Sequence, residues 1–315
     1  MSTIDGIRYA TLQVNRYVSI ILLLLGTISN LLCCLVFTQR TLRSNPCALY
    51  FLVVNISNII SLTAGIPPRM LNSWNILADQ TETISSLCKI RLLVVLASRN
   101  ISSWLLVCAA IDRCFLSSSK ADTRRRSNRK QAVRLIIIVS IMSLAFWTEC
   151  LYCFDANLIG TPLRCYAKSA NCRIFNDLAQ VFVTTMIPST IMMIAGLYTI
   201  KNIRQARRIL PATVNPILSR GRKTESNLTK MLFLQVIFLT IFNLPQAIQK
   251  FYLTYTFYDS RSLLQTTIEN LLFNIVLLLT YVSSCVPFCL YILTGDVFRM
   301  KLVRIIRTIV HYVKC

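Results

Sequence analysis

The sequence predicts an all-α membrane protein, a bundle of seven transmembrane helices followed by a short amphipathic eighth helix. Three observations carry this. The first is composition: 55% of the 315 residues are hydrophobic and 15% are charged. The mean hydropathy is +0.58, and a soluble domain carries roughly 25% charged residues. The second is a series of long apolar runs, at roughly 17–38, 48–71, 86–115, 133–154, 177–200, 229–254 and 268–293. Each is long enough to cross about 30 Å of hydrocarbon as a helix rising about 1.5 Å per residue. The third is the placement of positive charge. With the amino terminus outside, most Lys and Arg fall in the inner segments (40–43, 120–134, 201–230 and 296–314), which hold only Asp122, Glu225 and Asp296 as acids. That bias orients the chain with its amino terminus outside and its carboxyl terminus inside.

The elements follow in order. Residues 1–16 (MSTIDGIRYATLQVNR) are too polar for the core of a signal peptide and read as an extracellular tail. Residues 17–293 form the seven-helix domain, with Pro67, Pro68, Pro188, Pro245 and Pro287 as bend points. In the third run, the 25 residues from Cys88 to Arg113 span roughly 37 Å of helix. Cys88 therefore sits at the outer rim and Arg113, beside Asp112, at the inner rim. On the residues alone, two readings stand: a latch that an inner partner engages, or an Arg that snorkels at a helix end. The second is the commoner use of such a residue. Between the fifth and sixth runs, 207–226 reads as a flexible linker, with Pro211, Pro216 and Gly221. In the tail at 294–315, Phe298, Leu302, Val303, Ile305, Ile306, Ile309 and Val310 fall mainly on one helical side, opposite Lys and Arg. That pattern fits a cytosolic helix lying on the membrane surface.

The formal charge of +22 would suggest nucleic acid in a soluble protein, as would "RRRSNRK" at Arg124–Lys130. Seven spans exclude that reading and place the run near anionic lipid. The 13 Cys and single His allow no zinc site, and most Cys lie inside apolar runs as small hydrophobes. No metal or cofactor is expected. A transporter or channel would show repeated halves, broken helices or a ring of charge; a membrane enzyme would show a His/Asp cluster, HExxH or a Ser/Lys arrangement. The sequence offers none of these. The Asn-x-Ser/Thr sites at Asn55, Asn100 and Asn227 fall in spans or the inner loop, out of reach of glycosylation. Cys315 lacks a CaaX box, which leaves palmitoylation as its one lipid modification to consider.

Asp112-Arg113-Cys114 at the foot of the third run, Cys88 at its head, Asn30 in "GTISN", Pro188, Pro245 in "FNLP" and the tail after Tyr291 (YILTGDVFR) occur in a definite order. In that order and spacing the chain resembles rhodopsin-like G-protein-coupled receptors. "SNPCALYFLVVNISN" and "RCYAKSANCRIFND" are most similar to invertebrate FMRFamide-type peptide receptors and their orphan relatives. The resemblance implies an extracellular ligand, such as a short neuropeptide, in the outer half of the bundle, and a heterotrimeric G protein at the inner face. It implies that Arg113 contacts the carboxyl-terminal helix of the α subunit, that Asp112 restrains Arg113 at rest, and that Cys114 replaces the family's Tyr. It implies a disulfide from Cys88 to the second outer loop, where Cys172 is preferred by its neighbours and Cys165 is the alternative.

The chain also departs from that family. Asn58 stands where it has an Asp, so no sodium site is expected. Phe242-Asn243-Leu244-Pro245 lacks the switch Trp, Pro287 is displaced by one position before Tyr291, and Trp147 is too near the outer end to be the usual fourth-span Trp.

For ligand contacts the leading candidate is Arg99. It lies roughly 16 Å below Cys88 and two heptads above Arg113, so both project from nearly one face. Charge at membrane depth is costly and usually functional. Arg99 either meets a carboxylate, carbonyl or amide of a ligand, or pairs internally with Asn, Ser or Tyr groups of the second and seventh spans. Gln246, Gln249 and Lys250 after the sixth-run Pro, and Glu269, Asn270 and Asn274 at the start of the seventh run, are the other candidates. Trp104 reads as a packing residue.

Overall fold

The computed structural model of the chain describes residues 3–39, 42, 45–74, 80–118, 120–158, 163–209, 216–256, 261–294, 298–304 and 307. Among them, seven helices are long and apolar enough to cross a membrane. They are α1 (Thr3–Phe37), α2 (Pro46–Ser73), α3 (Ser85–Ser117), α4 (Arg129–Cys153), α5 (170–209), α6 (Pro216–Tyr255) and α7 (Leu263–Thr294). Residues 3–16 are not a separate tail. They are the first turns of α1, joined to the span through a π-helical turn at Val14–Val18. The Arg16 Nε donates to the Ser73 carbonyl at 2.6 Å, which ties this extension to the end of α2.

Local chemistry sets the helix ends. The Asn45 side chain accepts from the Cys47 N–H and caps α2, with Pro46 in the first turn where its missing donor does no harm. α2 breaks at Ile66 and resumes at Pro67, because neither Pro67 nor Pro68 can donate into the preceding turn. Asn128 and Ser169 cap α4 and α5 in the same manner as Asn45.

α5 widens into a π-helix over Gln180–Met186. Here the Ile187 N–H donates to the Phe182 carbonyl, five residues back. The next donor in that pattern is Pro188, which has no N–H. The Val183 carbonyl that it leaves open accepts instead from the Trp104 indole, at 3.0 Å. Trp104 thus does more than pack: it repairs the backbone of the neighbouring helix.

α3 is the axis of the bundle and packs against α2, α4 and α5. Two apolar cores lie along it. One, away from the disulfides, gathers Phe37, Phe51, Leu105, Leu106, Met192 and Tyr291. The other gathers Cys88, Leu96, Trp147, Phe154, Cys165 and Phe273. Many apolar side chains of α1 and α4 point outward, among them Leu24, Leu25, Ile141 and Met142, as expected of a lipid-facing surface.

Two expectations for connecting segments need correction. The stretch 207–226 is largely helical: α5 continues to Ile209 and α6 begins at Pro216, while 210–215 lie outside the described residues. After α7, residues 298–304 are helical, but their apolar side turns inward. Phe298 and Leu302 are buried in the core with Phe37 and Tyr291, and Val303 is exposed. Ile305, Ile306, Ile309, Val310 and Cys315 lie outside the described residues.

Candidate functional site

Two disulfides mark one end of the bundle. Cys88 pairs with Cys165, at a Cα separation of 5.7 Å. Cys172, the preferred partner on sequence, pairs instead with Cys153, at 5.2 Å. The reason is the path of the α4–α5 connection. Phe154–Asp155 (β1) pairs antiparallel with Tyr166–Ala167 (β2), and this hairpin lies across the head of α3. It brings Cys165, next to β2, onto Cys88. Cys172 sits in the first turn of α5, beside the end of α4 where Cys153 waits.

Asn157 turns the hairpin with a φ of 58°, a left-handed conformation that Asn tolerates better than most residues. Its amide side chain donates to the Thr83 carbonyl at 2.8 Å. Asp155 is held below the usual carboxylate range by a hydrogen bond from Ser85 and by the Ala156 N–H. Burial pushes the Tyr166 phenol up.

Under the hairpin lies a cavity of about 80 Å³. Phe154, Leu163, Cys165 and Tyr166 roof it; Arg69, Arg91, Arg99 and Lys250 bring charge to its walls. A second cavity, of about 50 Å³, continues deeper between Asn58, Ser102, Gln235 and Asn243. Leu96, Arg99, Gln180 and Gln246 line both.

Arg99 stands where the two cavities meet. Its guanidinium lies 4.2 Å from the centre of the Tyr281 ring, and its Nε donates to the Ser61 hydroxyl at 3.4 Å. These are the partner types that the second and seventh spans offer. Its Nη2 is buried without a hydrogen-bond partner. Tyr281 reaches this position only because residue 65 is Gly: a Cβ there would lie 1.9 Å from the phenol oxygen.

Of the other candidates, Gln246 and Lys250 line the cavities and Gln249 does not. Lys250 is buried in an ion pair with Asp177 of α5, which also faces Arg173. Glu269 belongs to a different cluster, between the ends of α6 and α7. It accepts from Arg261 at 2.6 Å, from the Tyr252 hydroxyl at 2.8 Å and from Gln265 at 3.1 Å. Asn274 accepts from Asn15 at 3.0 Å and from Arg69 at 3.1 Å, so it orients Arg69 from behind the cavity. Glu149, near the end of α4, accepts from Asn176 at 3.2 Å.

Arg69, Asp177, Gln180 and Tyr281 were not singled out on sequence. For Arg69 and Asp177 a signal existed. Each is a charge inside or at the edge of an apolar run, the same cue that marked Arg99.

Asp112 and Arg113 lie at the opposite end of α3. Both are buried, and the Arg113 Nη2 donates to Asp112 Oδ2 and to Asn45 Oδ1, each at 3.1 Å. Arg113 therefore does not snorkel. It is folded against the cap of α2, and Cys114 beside it is only part-buried. Nearby, the Tyr291 hydroxyl donates to Gln235 of α6 at 2.9 Å. Between the two ends runs a polar ladder. Ser102 donates to the Asn58 carbonyl oxygen at 3.0 Å, Asn58 reaches Asn30 at 3.4 Å, and Asn30 donates to the Ser284 carbonyl at 2.9 Å. Both polar ends of the Asn58 amide are engaged, in place of the charge that an Asp would bring.

A seven-helix bundle with a disulfide at the head of α3, a cavity beneath it and a buried Asp-Arg pair at the foot defines a receptor. The chain belongs to the rhodopsin family of G-protein-coupled receptors: the profile described as "7 transmembrane receptor (rhodopsin family)" matches residues 29–291. Among curated proteins, it is similar to neuromedin-U receptor 2 of Mus musculus, 22% identical over 89% of this chain and 71% of the relative. It is similarly related to neuromedin-U receptor 2 of Rattus norvegicus, 21% identical over the same shares. The transporter or channel alternative finds no support in these comparisons.

Proposed function

We propose that this chain is a plasma-membrane receptor for a short peptide, with the disulfide end outside and the Asp112–Arg113 end in the cytosol. One observation carries the proposal: a single helix, α3, joins Arg99 in the cavity wall to Arg113 in its buried pair, about 21 Å apart along the axis. The neuromedin-U receptors among its relatives support a peptide ligand. The cavities hold only the end of a peptide, and the hairpin that roofs them leaves the rest to lie outside.

At rest Asp112 and Asn45 occupy the Arg113 guanidinium. Activation requires that those bonds open, so that Arg113 and the part-buried Cys114 meet the carboxyl-terminal helix of a G-protein α subunit. The basic inner segment at 120–134 supports docking through its charge.

The test is a peptide-library screen of cells expressing the chain, read as second-messenger output, with antibody tags at both termini to report sidedness. A peptide response that Arg113→Ala abolishes at unchanged surface expression is the expected result. An undiminished response in Arg113→Ala, or both tags on one side of the membrane, overturns the proposal.

A further inference from the structure

The charge in the wall of the upper cavity is one-sided, and this bears on what the ligand carries. Arg69, Arg91 and Arg99 all contribute to the lining, and among the described residues no Asp or Glu does. Lys250 is neutralised by its buried pair with Asp177. Arg99 makes one long hydrogen bond to a neutral hydroxyl and rests on a neutral ring. The hydrogen bond of Arg69 goes to a neutral amide oxygen. Arg69 is within electrostatic range of one carboxylate, Glu82, and of two cations, Arg91 and Arg99. Glu82 accepts from Asn72 at 2.8 Å and stands outside the cavity lining. Among the described residues, neither Arg99 nor Arg69 is hydrogen-bonded to a carboxylate.

We propose, building on the peptide-receptor reading, that the ligand seats a carboxylate between Arg99 and Arg69. A guanidinium presents five N–H donors in a planar fork. Arg99 has spent only its Nε and keeps a buried Nη2 with no partner. A carboxylate supplies two oxygens in the matching geometry, and charge-assisted hydrogen bonds of this kind are about twice as strong as neutral ones. Leu92, Leu96, Phe273 and Leu277 line the same space and offer apolar contact to the carbons of the ligand. At about 80 Å³ the cavity takes a carboxylate and the few carbons that bear it. A neutral carboxamide in its place leaves both cations without a counter-charge, which is costly at a part-buried site.

Two sources of the group are possible, a free carboxyl terminus or an Asp or Glu side chain, and the experiment separates them. The full chain in lipid nanodiscs is heated with three pooled sets of tetrapeptides. The sets are free carboxyl termini with neutral side chains, the same peptides amidated, and amidated peptides containing one Glu. Unliganded Tm is recorded for every protein, and only the ligand-induced shift is compared.

A rise in Tm with the first or third set, absent with the second, is expected. Arg99→Gln and Arg69→Gln each weaken the apparent affinity of the effective set about thirtyfold, whereas Arg99→Lys retains part of it. Equal or greater stabilisation by the amidated neutral set overturns the proposal, as does no stabilisation by either carboxylate set. Because no G protein is present, a carboxylate-induced shift that survives in Arg113→Ala upholds this inference even where the signalling test fails.

Discussion

The two ends of the bundle are built by opposite means. At the hairpin end, charge is abundant and geometry is fixed covalently: two disulfides, a buried Lys250–Asp177 pair and the Arg261–Glu269 cluster surround an open cavity. At the Arg113 end, one buried ion pair sits beside an aromatic cluster of Phe37, Phe51, Tyr291 and Phe298, held by ring contacts and single hydrogen bonds. The first kind of construction resists deformation and keeps a binding surface preorganised. The second is a set of weak, separable contacts, and such contacts let a helix bundle occupy two arrangements. The contrast supports the proposed division of labour, with recognition at one end and movement at the other.

The largest expected effect falls on the covalent frame. In the chain-entropy account, the Cys88–Cys165 bridge closes a separation of 77 residues and Cys153–Cys172 one of 19. Their loss costs about 4.5 and about 3 kcal/mol respectively. Cys88→Ser with Cys165→Ser is therefore more damaging to thermal stability and surface expression than Cys153→Ser with Cys172→Ser. The shorter bridge still orders the roof of the cavity, so its loss lowers ligand affinity more than its stability effect suggests. Equal damage from the two pairs would mean that strain or packing, rather than loop length, governs this end.

The second effect is electrostatic and confined to one pair. Lys250 and Asp177 are both nearly excluded from solvent. Asp177→Asn removes the counter-charge and leaves Lys250 buried, which costs about 3–5 kcal/mol in thermal stability. Asp177→Leu together with Lys250→Met removes both charges, and is expected to recover most of that loss. If the double variant remains as unstable as the single one, Arg173 holds Asp177 in place and the unit is a triad.

The same contrast explains what the sequence disclosed. The seven spans, Arg99 in the interior and the Asp112–Arg113 pair were legible, because run length and charge at membrane depth are local signals. Cys172 misled because disulfide pairing depends on where the β1–β2 hairpin crosses α3, and no local pattern states that register. Glu269 and Asn274 occupy the right end of α7 but face Arg261 and Arg69 rather than the cavity, since the direction of a side chain depends on how α6 and α7 pack. Arg69 escaped notice beside Pro67 and Pro68, at the edge of an apolar run where a charge reads as interfacial. The Trp104 bond to Val183 could not be read at all, because it answers a π-helical turn that the sequence does not announce.

The smallest effect is the sharpest test of the movable end. Tyr291 is fully buried, and its ring packs on Phe37, Phe51 and Phe298. Its hydroxyl donates to Gln235, a bond that crosses from α7 to α6, and also faces the Asn55 side chain of α2. Tyr291→Phe keeps every ring contact and deletes the bond, so the expected loss of stability is about 1 kcal/mol. If the two helices separate on activation, the resting state loses this bond while the active state loses nothing. Basal second-messenger output then rises about fivefold, the factor that 1 kcal/mol gives in an equilibrium constant. Gln235→Leu is expected to raise it in the same direction, and the double variant to add little to either single change, since both remove one interaction. A fall in stability with unchanged basal output would show that the bond survives activation, and would move the hinge of this end away from the α6–α7 contact.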